Sequence, residues 1–276
     1  MSIGIPTSAT PEPAPPVSLM GIINATPDSF SDGGLFDQPH LAAEHAESMV
    51  YEGAEVIDIG AESTRPGALP VDSKTEIARL LPVLQAVRSR VRVPISVDTS
   101  KAEVAAAAFD HGADWLNDVW GFQRDPLLPS VAATAGATVV LMHNQATTEY
   151  PNGLIEGILS SLGQSIEIAR AAGLADHQII LDPGIGFGKT AEQNLLVLRH
   201  LKDFHQLGFP LLLGASRKSF IGKVLDLPVE NRLEGTLAVS TLAVSSGVRY
   251  LRVHDITPNL RAVRVAEAVL RASPHG

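Results

Sequence analysis

With 276 residues, 45% of them hydrophobic, the chain can bury one large core, and a single α/β domain is a routine outcome at this size. Its net charge of −9 excludes a broad nucleic-acid or anionic-membrane surface, which would need a basic stripe to displace counterions, so any basic site must be local. The absence of cysteine excludes disulfides, thiolate metal sites and a cysteine nucleophile, and it fits a reducing compartment, the expected setting being the cytoplasm.

In chain order, residues 1–16 carry Pro6, Pro11, Pro13, Pro15 and Pro16 among small polar residues. Such a composition holds neither a helix nor a strand, and a disordered arm is expected there, followed by one domain over 17–273. No apolar run approaches the roughly 20 residues of a membrane span, and the first residues lack the order of a secretion signal. Eight short apolar runs then recur: Leu19–Ile23, Val56–Ile59, Ile95–Val97, Trp115–Leu116, Thr138–Met142, Ile179–Leu181, Leu211–Leu213 and Tyr250–Val253. Each reads as a strand buried on both faces. Helix starts are expected at Ser73 with Glu76, Ser100 with Glu103 and Thr190 with Gln193, which have capping-box spacing, and at Thr257-Pro258. Gly53, Gly112, Gly136, Gly173, Gly208 and Gly247 each precede a run, where a helix ends in a left-handed turn. Eight alternating units predict a parallel (β/α)8 TIM barrel, with an open doubly wound sheet as the alternative.

A barrel of this kind carries its chemistry where its strands end, so the polar residues after each run are informative. The first run leads into Asn24 to Gly34, including Asp32, and the second into Asp58 to Gly67, including Thr64, Arg65 and Pro66. Either could be ordinary turn chemistry, but two adjacent long polar loops favour function. Asp98, Asn117-Asp118 and Asp182 end the third, fourth and sixth runs. Carboxylates and amides together can satisfy the edge of a nitrogen-rich heterocycle, the plain alternative for any one of them being a helix cap. Ser216-Arg217-Lys218-Ser219 and Arg252-Val253-His254-Asp255 follow the last two runs, where barrels often bind phosphate. Arg217 ranks below Lys218, since it can equally bind a loop carbonyl or an acidic neighbour. The remaining histidines receive no role. Asp182 to Thr190 ends in Gly-Lys-Thr ahead of a helix, but Pro183 stands where a phosphate-binding loop needs glycine.

Taken in order, Asn24 to Gly34, Asp58 to Gly67, Ser96 to Asp98, Asn117-Asp118, Asp182 to Lys189, Ser216 to Gly222 and Arg252 to Asp255 resemble the motif set of the dihydropteroate synthases. The resemblance implies the same barrel, a homodimer, Mg²⁺, and condensation of a dihydropterin methyl diphosphate with p-aminobenzoate. It implies that Asp98, Asn117, Asp182 and Lys218 hold the pterin with Arg252 stacked over it. Asn24, Thr64, Arg65, Arg252 and His254 would face the diphosphate, with Asn24 also a metal ligand, and the catalytic set would be Asp32, Arg252 and His254. Thr64, Arg65, Pro66, Phe187 and Ser219 would receive p-aminobenzoate, where sulfonamides would compete. The chain departs from the pattern at Ala61, where a second glycine is usual. A pterin-dependent methyltransferase and a catalytically silent pterin binder are the rival readings.

Overall fold

The computed structural model describes residues 16–25, 38–62 and 71–272. Among them lie eight parallel strands: β1 Ser18–Asn24, β2 Val56–Gly60, β3 Ile95–Asp98, β4 Trp115–Asp118, β5 Thr138–Met142, β6 Ile179–Asp182, β7 Leu212–Leu213 and β8 Tyr250–Val253. The helices between them are α1 Gln38–Glu52, α2 Ser73–Arg90, α3 Ala102–Asp110, α4 Leu128–Ala135, α5 Leu154–Ala171, α6 Ala191–Arg199, α7 Ser219–Leu225, α8 Leu233–Ser245 and α9 Ile256–Arg271. The sheet runs β6-β5-β4-β3-β2-β1-β8-β7, and a parallel bridge between Leu181 and Leu211 closes it into the expected barrel. The predicted arm lies outside the described residues except for Pro16, whose carbonyl accepts from Arg249.

All eight apolar runs are strands, and their two faces do different work. Leu19, Ile23, Ile57, Ile59, Val97, Leu116, Val139, Leu141, Leu181, Leu213 and Val253 point outward into the core shared with the helices. The alternate positions point inward, because side chains of a strand alternate between its faces. Met20, Val56, Val140, Ile180 and Leu212 meet inside the barrel, with Trp115 and Tyr250 packed against them and edge to face with each other, 5.5 Å between ring centroids. They form an apolar plug that leaves the strand carboxyl ends as the open mouth.

Of the four expected helix starts, one has the anticipated chemistry: Thr190 and Gln193 make a reciprocal capping box at α6. The cap of α2 is Asp72, whose carboxylate accepts from the Thr75 N–H at 2.8 Å, because Glu76 is drawn inward to Lys101 Nζ at 2.5 Å. At α3 the residue before the helix is Lys101, and Asp125 accepts from the Ala102 N–H instead. Asp255 precedes α9, with Thr257 inside the helix donating to Glu52. The six glycines expected at helix ends all have positive φ.

Candidate active site

Two residues past the plug, the same inward parity places Asp58 on β2, Asn117 on β4, Asp182 on β6 and Arg252 on β8, with Ser96 and Asp98 on β3. Arg252 reaches across the barrel. Its Nε donates to Asp58 Oδ2 at 2.7 Å and its Nη2 to Asp98 Oδ2 at 3.2 Å, while Asn117 Nδ2 donates to the same Asp58 oxygen at 3.3 Å. Small residues keep the mouth open. A Cβ built on Gly60 would lie 3.7 Å from Asp98 Oδ2, and one on Gly214 would lie 3.8 Å from both Asp182 Oδ2 and Arg252 Cβ, so larger side chains there would fill the space between these groups. Lys218, at the head of α7, completes the set, since its charge and that of Asp182 act on each other. Five residues from five separate motifs, Asp98, Asn117, Asp182, Lys218 and Arg252, therefore gather at the carboxyl end of the barrel.

Three buried oxygens in this layer, Asp58 Oδ1, Asp98 Oδ1 and Ser96 Oγ, have no hydrogen-bond partner. Buried acceptors of this kind are costly unless something donates to them. Burial pushes the Asp98 carboxyl up to about 7; Arg252 pulls the other way, and Asp58, Asp118 and Glu76 add to the rise. Burial also raises Asp182, opposed by Lys218. Burial draws the Lys218 ammonium down to about 8, opposed by Asp182. Although burial acts against it, Arg252 is held above its ordinary value by Asp58 and Asp98.

A raised carboxyl has a definite sign in stability. Between about pH 4 and 7 the folded chain holds a proton on Asp98 that the unfolded chain has released, so this group's contribution declines as pH climbs through that window. Compared with an Asp98→Asn variant, the ligand-free chain should thus lose urea resistance steadily from pH 4 to 7. A constant difference across that range would contradict the shift.

Around the lip, Phe187 is half-buried on the loop after β6, and Lys218 Nζ sits 4.6 Å from its ring centroid while donating to the Ile185 carbonyl. Asn24 is exposed at the end of β1, and Ser219 is exposed at the first position of α7. His254 follows β8 with Nδ1 3.0 Å from Ser216 Oγ. Arg217 is engaged by Asp255 through two hydrogen bonds of 2.6 and 2.9 Å, the acidic-neighbour alternative, whereas the charge of Lys218 acts on Asp182 and Asp98. Asp118 is taken up by its own loop, accepting from the Trp120 and Phe122 N–H groups of the turn after β4, and it caps no helix. Asp32, Thr64, Arg65 and Pro66 lie outside the described residues.

Sequence reasoning passed over three groups. Asp58, in the sequence only the start of a loop motif, is fully buried and holds Arg252; its signal is its parity with Val56 and Gly60. Lys189, of the rejected phosphate-loop match, donates to the Gly184 and Phe187 carbonyls and contacts His143. Lys101 joins Glu62, Glu76 and the Val71 carbonyl, and Glu62 accepts from the Val71 N–H, so both stems of the second polar loop are tied together.

The model of the pterin-binding enzymes matches residues 20–254, most of the chain. The chain belongs to the pterin-binding enzyme family. Within this family, the dihydropteroate synthase of Bacillus subtilis strain 168 is 49% identical over 91% of this chain and 88% of its own length. That of Clostridium beijerinckii is 47% identical over 92% and 94%. Among solved members, a dihydropteroate synthase from Clostridium difficile determined in the presence of pteroic acid superposes with a TM-score of 0.92 at 46% identity, covering 95% of this chain and 99% of the other. A Xanthomonas albilineans dihydropteroate synthase with 4-aminobenzoic acid gives 0.89 at 37% identity, each chain covered to 94%. A Yersinia pestis member has been determined with a sulfonamide drug, and it matches at 0.87 and 40% identity over 93% of this chain and 95% of the other. The resemblance, the barrel and the enzyme class expected from the motifs are those of the family.

Proposed function

We propose that the chain is a dihydropteroate synthase, joining 7,8-dihydropterin-6-ylmethyl diphosphate to p-aminobenzoate with release of diphosphate. The observation that carries this reading is the layer of unpartnered buried acceptors, Asp58 Oδ1, Asp98 Oδ1 and Ser96 Oγ, beside the Asn117 amide, Asp182 and Lys218. A flat heterocycle bearing ring N–H and amino groups on one edge and a carbonyl on another would satisfy that set. In this reading Asp98, Asn117 and Asp182 receive the pterin nitrogens, Lys218 donates to the ring carbonyl, and Arg252 lies over the ring.

Asn24, Arg252 and His254, with Thr64 and Arg65, face the diphosphate. Among the described residues no group of three or more His, Asp or Glu is placed to hold a metal. Mg²⁺ does not need one, since it keeps several waters and binds one or two protein oxygens together with substrate phosphates. The Asn24 amide oxygen at the end of β1 fits such a role. When bound, the ion would neutralise charge on the departing diphosphate. Arg252 and His254 do the same from the protein side, while Asp32 and the deep carboxylates stabilise positive charge developing on the methylene carbon. The C–O bond breaks first, its electron pair leaving with the diphosphate; the p-aminobenzoate nitrogen then forms the C–N bond to the cationic methylene carbon, and the amine proton passes to the released diphosphate or solvent. No protein nucleophile takes part.

The second substrate sits with its ring against Phe187 and Pro66, near Thr64 and Arg65, and its carboxylate at Ser219; sulfonamides compete for this place. Phe187→Ala is expected to raise the KM for p-aminobenzoate with little change in pterin affinity, measured by steady-state kinetics and calorimetry. Equal losses for both substrates would make Phe187 a core residue instead. The reading as a whole is tested by supplying both substrates and Mg²⁺ and measuring pyrophosphate together with dihydropteroate. Equal yields of the two, lost when any component is omitted, support it, whereas pterin binding without either product favours the silent paralogue.

We also propose a cytoplasmic homodimer. No helix among the described residues is long and apolar enough to cross a membrane. The exposed face of α8 and α9 carries Leu242, Val265, Val269 and Leu270 beside an open groove of about 710 Å³, which is apolar surface of the kind that marks an interface. Sedimentation should give twice the chain mass of 29.2 kDa, and a single-chain value would refute it.

A further inference from the structure

Lys189 has no part in the reaction as proposed, yet it is buried at the base of the loop that carries Phe187. Its Nζ lies 2.8 Å from the Gly184 carbonyl, 3.0 Å from the Phe187 carbonyl and 2.9 Å from His143 Nδ1, which together use all three N–H groups of an ammonium. Burial draws Lys189 itself down to about 7, opposed by Asp182; in its ammonium form the third N–H meets Nδ1 of His143, whose proton then sits on Nε2. Burial, and then the charge of Lys189, push the His143 ring down to about 3, so it remains a neutral acceptor at ordinary pH.

The turn under this lysine has little freedom. The Gly184 carbonyl also accepts from the Phe187 N–H at 3.2 Å, and the Gly184 N–H donates to Asp182 Oδ1 at 2.7 Å. Gly184 has φ of +73°, and a Cβ there would lie 1.9 Å from the His143 carbonyl oxygen, so the turn rests directly on the end of β5. The Tyr150 hydroxyl donates to the Gly188 carbonyl at 2.9 Å, and its ring lies 6.0 Å from that of His143. Two lysines thus hold successive carbonyls of one loop: Lys218 takes Ile185 from the pterin side, and Lys189 takes Gly184 and Phe187 from beneath.

We infer that Lys189 is a positioning residue for the second substrate: oriented by His143, it fixes the Gly184–Phe187 turn and with it the face that Phe187 offers to p-aminobenzoate. The inference rests on the reading that Phe187 contacts that substrate. Without the ammonium, the Phe187 carbonyl loses its lysine donor and the Gly184 carbonyl keeps only the 3.2 Å bond from the Phe187 N–H, and the turn relaxes toward water.

The test is a double-mutant cycle on the full chain, with Lys189→Met, Phe187→Ala and the two combined. Lys189→Met is expected to raise the KM for p-aminobenzoate about ten-fold, through loss of hydrogen bonds to buried carbonyls. Because the charge of Lys189 also bears on Asp182, calorimetry should find its pterin affinity weakened somewhat, but by much less than the ten-fold rise in KM. Because the lysine acts through the ring, the combined variant should be no worse than Phe187→Ala alone. Should Lys189→Met fail to fold, His143→Ala is expected to raise the same KM to a lesser degree, and His143→Asn, which returns an acceptor near the Nδ1 position, to restore it. Multiplying effects in the cycle, equal losses for both substrates, or an unchanged KM in Lys189→Met or His143→Ala would overturn the inference. An unchanged KM in Phe187→Ala would overturn the assignment of Phe187 itself, which separates the two failures.

Discussion

Arg252→Met is expected to abolish turnover and to cost the fold about 3–5 kcal/mol, because it strands the buried Asp58 carboxylate without a counter-charge and forces Asp98 to take up a proton. Asp58 is fully buried and Asp98 nearly so, and Arg252 is the cation that bonds both, at 2.7 and 3.2 Å. With the guanidinium gone, Asp58 keeps only the Asn117 amide at 3.3 Å. Urea unfolding at pH 7 measures the loss. Adding Asp58→Asn to Arg252→Met should return much of the stability without returning activity, since the charge imbalance is relieved but the cation over the substrate is still missing. A stability loss below about 1 kcal/mol, the range of an exposed pair, would show that the ion pair is solvated rather than buried.

Removing Lys218 or Asp182 should have the largest effect on ligand binding. Each is expected to weaken pterin affinity about ten- to a hundred-fold, the cost of leaving a buried polar group of the ring without its partner. The two are coupled, since the charge of each bears on the other. The double variant should therefore lose less than the sum of the single losses. Lys218→Ala should also raise the KM for p-aminobenzoate, because the same Nζ sits over Phe187 and holds the Ile185 carbonyl. Calorimetry with the pterin alone checks the first effect and steady-state kinetics the second. Unchanged pterin affinity in both single variants would remove these residues from the pterin floor.

Much of the architecture was legible because barrel strands write their burial into short apolar runs, and because the glycines before them mark where helices stop. For Arg217 the sequence offered a loop carbonyl or an acidic neighbour, and the partner is acidic: Asp255, 38 residues on. What could not be read is what depends on the third dimension. Glu76 has capping-box spacing from Ser73, but Lys101, 25 residues away, takes it instead. Asp58 was hidden within an apolar strand, and only the inward parity it shares with Val56 separates it from its outward neighbours Ile57 and Ile59. Lys189 was dismissed with the nucleotide motif it imitates, since nothing local shows that His143, 46 residues earlier, lies against it.

The central claim is that a pterin occupies the polar layer above the plug and supplies the donors its acceptors lack. A crystal structure of the chain with 7,8-dihydropterin-6-ylmethyl diphosphate tests this most directly. Ring nitrogens are expected within hydrogen-bond distance of Asp98, Asn117 and Asp182, and the ring carbonyl on Lys218. A ring bound elsewhere, with Asp58 Oδ1, Asp98 Oδ1 and Ser96 Oγ still unpartnered, would contradict it.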